Sequence, residues 1–249
     1  MTREWNAAAY ERLSAPQTRW GQVVVERLDL VGNERVLDAG CGTGRVTEML
    51  LERLPDGRVI GMDGSATMIE RAAARFAGES RVELIVADLT QPLSLDEPVD
   101  AILSTATFHW IADHGALFRN LATILRPGGQ LVAQCGGAGN ISSLERIISE
   151  MGHTFADGKT FAGPEDTRDR LEGAGFTDVE TWLNDEPTPI PAEDLEAFLE
   201  TVCLGGIVEG MGDRDRERFV HQVAGRMPES RIDYVRLNIR ARRAGRIIR

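Results

Sequence analysis

Arg35-Val36-Leu37-Asp38-Ala39-Gly40-Cys41-Gly42-Thr43-Gly44 runs from a short apolar strand into three glycines on alternate positions. The helical pattern Val46-Thr47-Glu48-Met49-Leu50-Leu51 follows directly. That order reads as strand, tight turn and helix. Without a Cβ, glycine lets the chain turn sharply and lets a ligand approach the backbone, and the helix behind it opens with unpaired N–H groups. The stretch is therefore a candidate cradle for a nucleotide-type cofactor. A dinucleotide fingerprint would need a third glycine three residues after the second, where this chain has Arg45. Asp38, at the strand's end, would also repel a diphosphate, whereas it suits a cation such as an amino acid's ammonium group.

Outward from this loop the same grammar repeats. Arg58-Val59-Ile60-Gly61-Met62-Asp63 reads as a second strand ending in an acid, nineteen residues beyond Gly44. A carboxylate at that place can accept hydrogen bonds from both hydroxyls of a ribose lying over the carboxyl edge of an open α/β sheet. Gly64 and Met68, just past it, join the candidate cofactor residues, and Ser65 is suited to cap the helix predicted over 66–77. Val82 to Leu89 reads as a third strand that again carries an acid, Asp88, near its end. Val99 to Ser104 reads as a fourth, running into Thr105-Ala106-Thr107-Phe108-His109-Trp110-Ile111.

On Asp38 to Gly44 and these spacings, the chain resembles a class I S-adenosylmethionine-dependent methyltransferase, whose glycine loop reads much like D-x-G-x-G-x-G. A start with Trp5, Asn6, Tyr10 and Arg19 is similar to the trans-aconitate methyltransferase branch. The resemblance implies S-adenosylmethionine as cofactor, with Tyr10 and Arg19 approaching its methionine carboxylate. It also implies that Asp88 receives the adenine amino group, with the backbone of Leu89 close by. Thr105, at a strand's carboxyl end, could offer a backbone carbonyl to the cofactor's ammonium. Phe108 and Trp110 could face a sulfonium, worth about 0.5–2 kcal/mol of cation–π attraction. His109 is the candidate general base; trans-aconitate enzymes carry Gln at this place and other small-molecule relatives carry His.

Beyond residue 111 the pattern continues as a helix over 116–125 and a turn at Arg126-Pro127-Gly128-Gly129. A fifth strand over 129–135, a helix over 141–155, a helix over 165–174 and a sixth strand over 176–183 follow. Thr188-Pro189-Ile190-Pro191 interrupts this alternation. Helical spacing then covers 192–208 and 214–227 before a last alternating strand over 232–240. The expected fold is α/β, a Rossmann-like, doubly wound, mostly parallel seven-stranded sheet. One domain should span 1–249, with an N-terminal lid and helix over 1–30, a cofactor-binding core over 31–135 and a helical cap over 188–231.

Composition narrows the partners. The net charge of −11 opposes the phosphate backbone of nucleic acid. Residues 231–249 alone carry a net +6, read as an exposed strand face and a solvated tail. No apolar run approaches the roughly 18–20 residues of a membrane helix and no leader pattern opens the chain, so a cytoplasmic protein without membrane contact is expected. Cys41, Cys135 and Cys203 form no C-x-x-C and the histidines show no ligand spacing, so no metal is expected. Basic charge is nearly all Arg, with Lys159 the only lysine.

The expected reaction is methyl transfer to a small molecule, most readily to the oxygen of a carboxylate or hydroxyl, by a monomer or homodimer. An N or C acceptor, a non-catalytic S-adenosylmethionine-binding module and an NAD-type oxidoreductase are the alternatives. The last is disfavoured by Arg45, by Asp38 and by the lack of a Ser/Tyr/Lys proton relay.

Overall fold

A computed structural model of the chain describes residues 15–154 and 158–245. Tyr10, Trp5 and Asn6 lie outside the described residues.

The centre is a seven-stranded sheet in the order β3-β2-β1-β4-β5-β9-β6. Its strands are β1 (Arg35–Ala39), β2 (Arg58–Asp63), β3 (Val82–Val86), β4 (Val99–Thr105), β5 (Leu125–Gly136), β6 (Phe176–Asp185) and β9 (Val235–Arg243). β1 to β5 pair in parallel, and β9 runs antiparallel between β5 and β6. This is the doubly wound, mostly parallel sheet that the alternation of strand and helix predicts.

Strand residues feed two cores because neighbouring side chains point to opposite faces. Val36, Val59, Ala101, Leu103 and Val132 pack with Val24 and Val25 of α1 (Ala15–Glu26), with Leu28 just after it, and with Leu50 and Leu51 of α2 (Arg45–Glu52). Leu37, Ile60, Ile102, Leu131 and Ala133 face the other way, against Leu117, Phe118 and Leu121 of α4 (His114–Ile124) and Leu171 of α6 (Pro164–Gly173). Strands covered on both faces carry apolar runs, which is why β1 and β4 lack a polar side. α3 (Ala66–Arg75) is capped by Ser65, whose hydroxyl accepts the Met68 N–H.

A third core holds the helical insert. Leu195, Phe198, Leu199, Phe219, Val220 and Val223 pack against Leu144, Ile147 and Ile148 of α5 (Ser142–Glu150), with Trp20 of α1 and Tyr234 at its edge. The sequence predicts one helix over 192–208, but the chain there is broken into four pieces. These are a 3₁₀ turn Ala192–Asp194, α7 (Leu195–Phe198), a π turn Leu199–Cys203 and α8 (Gly205–Val208), followed by α9 (Asp213–Ala224). Gly205 and Gly206, poor helix formers, coincide with the break.

The base of the insert is clasped by a two-stranded ladder, β7 (Thr188–Pro189) against β8 (Arg231–Ile232). The last strand of the main sheet consequently begins at Val235 and not at Ile232. The exposed face expected over 231–249 is also corrected for 231–245; residues 246–249 lie outside the described residues. Arg236 and Asn238 are 2% and 0% exposed, because α1 covers that end of β9. Arg240 and Arg242 both pair with Asp29, and Arg243 donates to the Ala122 and Gly175 carbonyls. A polar residue every second position shows that a face is polar, not that it is wet.

Candidate functional site

The chain runs outward from β1 through β2 to β3, then returns to lay β4 on the other side of β1. In open α/β sheets the carboxyl ends of the strands at such a reversal are where ligands bind. A cavity of about 510 Å³ opens there, within the roughly 300–1,000 Å³ usual for cofactor and small-molecule sites.

At one end the cavity is lined by Gly40, Gly42, Asp63, Gly64, Met68, Asp88, Leu89 and Thr105. The loop after β1 is pinned by backbone bonds: Gly40 and Cys41 N–H both donate to the Met62 carbonyl, at 2.7 and 3.0 Å. Asp63 completes the pin. One carboxylate oxygen accepts the Gly42 N–H at 2.9 Å and the other accepts the Ser65 N–H at 2.9 Å. Asp63 also lines the cavity, and a carboxylate oxygen can accept more than one hydrogen bond.

The glycines of the loop differ in what they do. A Cβ on Gly40 would overlap the Thr107 side chain, and one on Gly44 would overlap the Phe76 ring, so both are needed for close packing. Gly42, at φ +55°, has no atom of the described residues within 4 Å of where a Cβ would stand. The space a side chain would fill there is left to the cavity.

Asp38 is not at this surface. It is 1% exposed, behind the loop, and accepts a hydrogen bond from the Thr47 hydroxyl at 2.7 Å. Burial pushes its carboxyl up to about 7; the Asp63 charge adds to this and the Thr47 hydrogen bond opposes it. Arg19 is not brought to the cavity either: it is exposed and paired with Glu186 at 2.8 Å. The Asp88 carboxylate lines the cavity and also holds its own loop, accepting from the N–H and hydroxyl of Thr90 at 2.9 and 2.7 Å. The Thr105 carbonyl accepts the Thr107 hydroxyl at 3.1 Å, while the buried Thr105 hydroxyl has no hydrogen-bond partner among the described residues.

The far end of the cavity is a different environment. His109, Trp110, Lys159, Phe161, Arg236 and Trp20 line it, with Val202 and Cys203 contributed by the π turn of the insert. Single π turns are frequent at functional sites. Ala106 and Ile141, two of three non-glycine residues with positive φ among those described, are also in the wall. For a β-branched residue such as Ile141 that conformation is an outlier, of the kind that gathers at binding sites.

His109 stands on a short 3₁₀ turn, Phe108–Trp110. Its ring stacks on Phe161 with centroids 5.9 Å apart, and its Nδ1 accepts the Gly136 N–H at 3.3 Å. In a neutral imidazole that leaves the proton on Nε2. Burial first, then the charges of Arg236 and Lys159, hold the ring's pKa well below the usual histidine value. Phe108, proposed to face a sulfonium, is instead core, edge-on to Phe118. Trp110 does reach the cavity, with the Lys159 ammonium 4.5 Å from its ring centroid. The Arg236 guanidinium lies 4.1 Å over the Trp20 ring.

A methyltransferase-domain family matches residues 36–129. The trans-aconitate 2-methyltransferase of Methylobacterium nodulans is 30% identical over 182 residues, covering 72% of this chain and 67% of that protein. The chain belongs to the class I S-adenosylmethionine-dependent methyltransferases. The trans-aconitate 2-methyltransferase of Acidovorax ebreus is 34% identical over 131 residues, 53% of this chain and 49% of that protein. The match thus spans about half the length of this curated relative. Among solved structures, a phosphoethanolamine N-methyltransferase of Haemonchus contortus, in complex with phosphomonomethylethanolamine and S-adenosylhomocysteine, superposes with a TM-score of 0.65. It is 19% identical and covers 96% of this chain and 57% of that one, a likeness of fold.

S-adenosylmethionine is the cofactor of this family, and the site fits it. The space over Gly42, the Asp63 carboxylate in the cavity wall and the Thr105 hydroxyl, which has no hydrogen-bond partner among the described residues, offer what an amino-acid nucleoside needs. Lys159, Arg236, Trp20 and Phe161, at the far end of the cavity, escaped sequence reading. The one available signal was Lys159, a single lysine in an arginine-rich chain.

Proposed function

We propose that this protein transfers a methyl group from S-adenosylmethionine to an oxygen of a small carboxylate. The observation that carries the reading is the continuity of one cavity from the Gly42 and Asp63 cradle to a chamber walled by Lys159 and Arg236. Two cations beside a low-dielectric wall favour an anionic acceptor, and the trans-aconitate relatives act on a molecule of that class.

The cofactor supplies an electrophilic methyl group on a sulfonium. The chain's residues bind and align. Asp63 receives the ribose hydroxyls, and Asp88 and Leu89 take the adenine end. The Thr105 hydroxyl and carbonyl meet the amino-acid end. Gly64 and Met68 close the wall. Alignment of this kind accounts for about 7–11 kcal/mol of a bimolecular barrier. A carboxylate is already ionised near neutral pH, so no residue has to remove a proton from it.

We also propose that residues 31–135 are the cofactor half, and that the cap over 188–231 shapes the acceptor chamber through Val202 and Cys203. The working unit would be a cytoplasmic monomer or homodimer. Among the described residues no helix is long and apolar enough to cross a membrane.

The test is a methyl-release assay with a panel of small carboxylates, phenols and amines, alongside titration calorimetry with S-adenosylmethionine and NAD. Tight S-adenosylmethionine binding with turnover on carboxylates is expected. Turnover confined to phenols or amines would reject the acceptor class. Cofactor binding without turnover on any acceptor would leave a binding module.

A further inference from the structure

We propose that His109 is a fixed hydrogen-bond donor and not a base, and that with Lys159 and Arg236 it holds the acceptor's carboxylate in the far chamber. The proposal rests on the carboxylate reading above and assigns residues to it.

The geometry begins with the ring. Gly136 N–H donates into Nδ1, and the backbone of β5 fixes that amide. A neutral imidazole that accepts at Nδ1 can only donate at Nε2, the nitrogen left for a molecule in the cavity that His109 lines. To act as a base the ring would have to take its new proton at Nδ1, breaking the Gly136 contact, or release Nε2–H first. Stacking on Phe161 and contact with Trp110, centroids 5.9 and 5.2 Å away, hold the plane of the ring.

The charges point the same way. The titratable or charged groups facing His109 are Arg236 from β9, Lys159 from the segment before α6, His114 at the start of α4, and the Cys135 thiol of β5 beside its backbone. Proton uptake by His109 would add a further positive charge beside two cations and opposite a sulfonium. A carboxylate in that position is attracted by all of them. Trp20, under the Arg236 guanidinium, adds a buried indole N–H with no hydrogen-bond partner among the described residues. The chamber thus presents N–H donors and charges of one sign, the inverse of a site built to collect a proton.

The experiment has a part that needs no turnover. In a long-range ¹H–¹⁵N spectrum of the S-adenosylhomocysteine-bound protein, four histidines are present and His109→Gln identifies the relevant one. The expected result is a neutral Nε2–H tautomer for His109 that persists below the pH at which an ordinary histidine titrates. Titration near the ordinary histidine value, about 6.5, would overturn the proposal. In the second part, trans-aconitate is titrated into the same complex and used as methyl acceptor. Lys159→Met should raise Kd and KM at least about tenfold with kcat within about threefold, as expected when binding common to ground and transition states is lost. Arg236→Lys, a milder change at a buried site, should act in the same direction, with S-adenosylhomocysteine affinity reporting that the fold is intact.

His109→Ala should lose about 10- to 100-fold in kcat/KM. His109→Gln, whose amide can donate from near the Nε2 place, should recover most of that loss. Gln no better than Ala, with both down by the roughly 10²–10⁴-fold of a lost general base, would refute the donor role. Carboxylate turnover with KM unchanged in Lys159→Met would refute the anion-holding role while leaving the carboxylate reading intact. No binding or turnover with any carboxylate, despite cofactor binding, would remove both.

Discussion

Gly42→Ala separates the cofactor site from the fold. The new methyl group meets no protein atom within 4 Å, so the substitution brings no clash; its structural cost is the φ of +55°, about 1–2 kcal/mol for an L-residue in that region. In a chain of this length such a loss lowers Tm by roughly 2–8 °C. The methyl would stand where the cofactor comes against the loop and force it back by about one contact. Losing one hydrogen bond there, worth about 1–3 kcal/mol when a buried group goes unpaired, weakens binding roughly 5- to 150-fold. Gly78→Ala is the matched control. Gly78 has φ +88°, likewise nothing within 4 Å, and sits in the exposed turn after α3, away from the cavity. Differential scanning calorimetry should find similar losses of stability in the two variants. Titration with S-adenosylmethionine should find weakened binding in Gly42→Ala alone. Equal cofactor affinity in Gly42→Ala and Gly78→Ala would refute the assignment of this loop, whatever the activity of either protein.

Asp63→Ala removes a carboxylate that pins Gly42 and Ser65 and is assigned to the ribose. Hydrogen bonds to a charged group are worth about 1.5–3 kcal/mol each, so cofactor affinity should fall at least about tenfold by calorimetry and Tm should drop as well. Gly40→Ala, which would overlap the Thr107 side chain at φ +83°, should be the least stable of the loop variants by thermal unfolding, with or without cofactor. Arg19→Ala should change stability by less than about 1 kcal/mol, as for an exposed ion pair, and cofactor affinity by less than about threefold. Asp38 gives a pH dependence of stability of unusual sign. Its folded pKa, about 7, lies above the roughly 3.9 of the unfolded chain, so between those values the folded state holds a proton that the unfolded state has released. Stability therefore falls as pH rises through that window, by up to about 1.4 kcal/mol per unit. Asp38→Asn should flatten the slope, measured by urea unfolding of the cofactor-free protein at pH 5 and pH 8.

The cofactor half was legible because backbone makes it. A glycine on alternate positions, an acid at the next strand's tip and a turn before each helix are local signals, and sheet topology brings them together at one edge. Gly42 and Asp63 meet across 21 residues of sequence for that reason. Asp38 shows where local reading stops: nothing in Val36-Leu37-Asp38 says whether the carboxylate faces a ligand or Thr47. Arg19 likewise finds Glu186, 167 residues away, a pairing no window of sequence contains. The helix expected over 192–208 was read from its apolar spacing alone. The spacing was right about the buried face, since Leu195, Phe198 and Leu199 are all in the core, but it could not register the π turn that begins at Leu199.

The far chamber, proposed to take the acceptor, was illegible because side chains from separated segments make it. Arg236 comes from β9, Lys159 from the stretch before α6, His109 from the turn after β4 and Trp20 from α1. Each is ordinary in its own neighbourhood: an outward position in an alternating strand, a loop lysine, an apolar-run histidine, a helix tryptophan. They converge because β9 inserts antiparallel next to β5. That register puts Arg236 opposite Gly136, the residue whose N–H fixes the His109 ring. One register position thus sets both a cation of the chamber and the tautomer of its histidine. A slip of β9 by one residue would carry Arg236 to the other face of the sheet, and both the charge and its support for a neutral His109 would go with it. The same strand is held by Asn238, which accepts from Arg27, in the turn just after α1, and from Gln134 of β5 at 2.6 and 2.8 Å. Asn238→Ala should therefore weaken acceptor binding before cofactor binding, although Asn238 does not line the cavity.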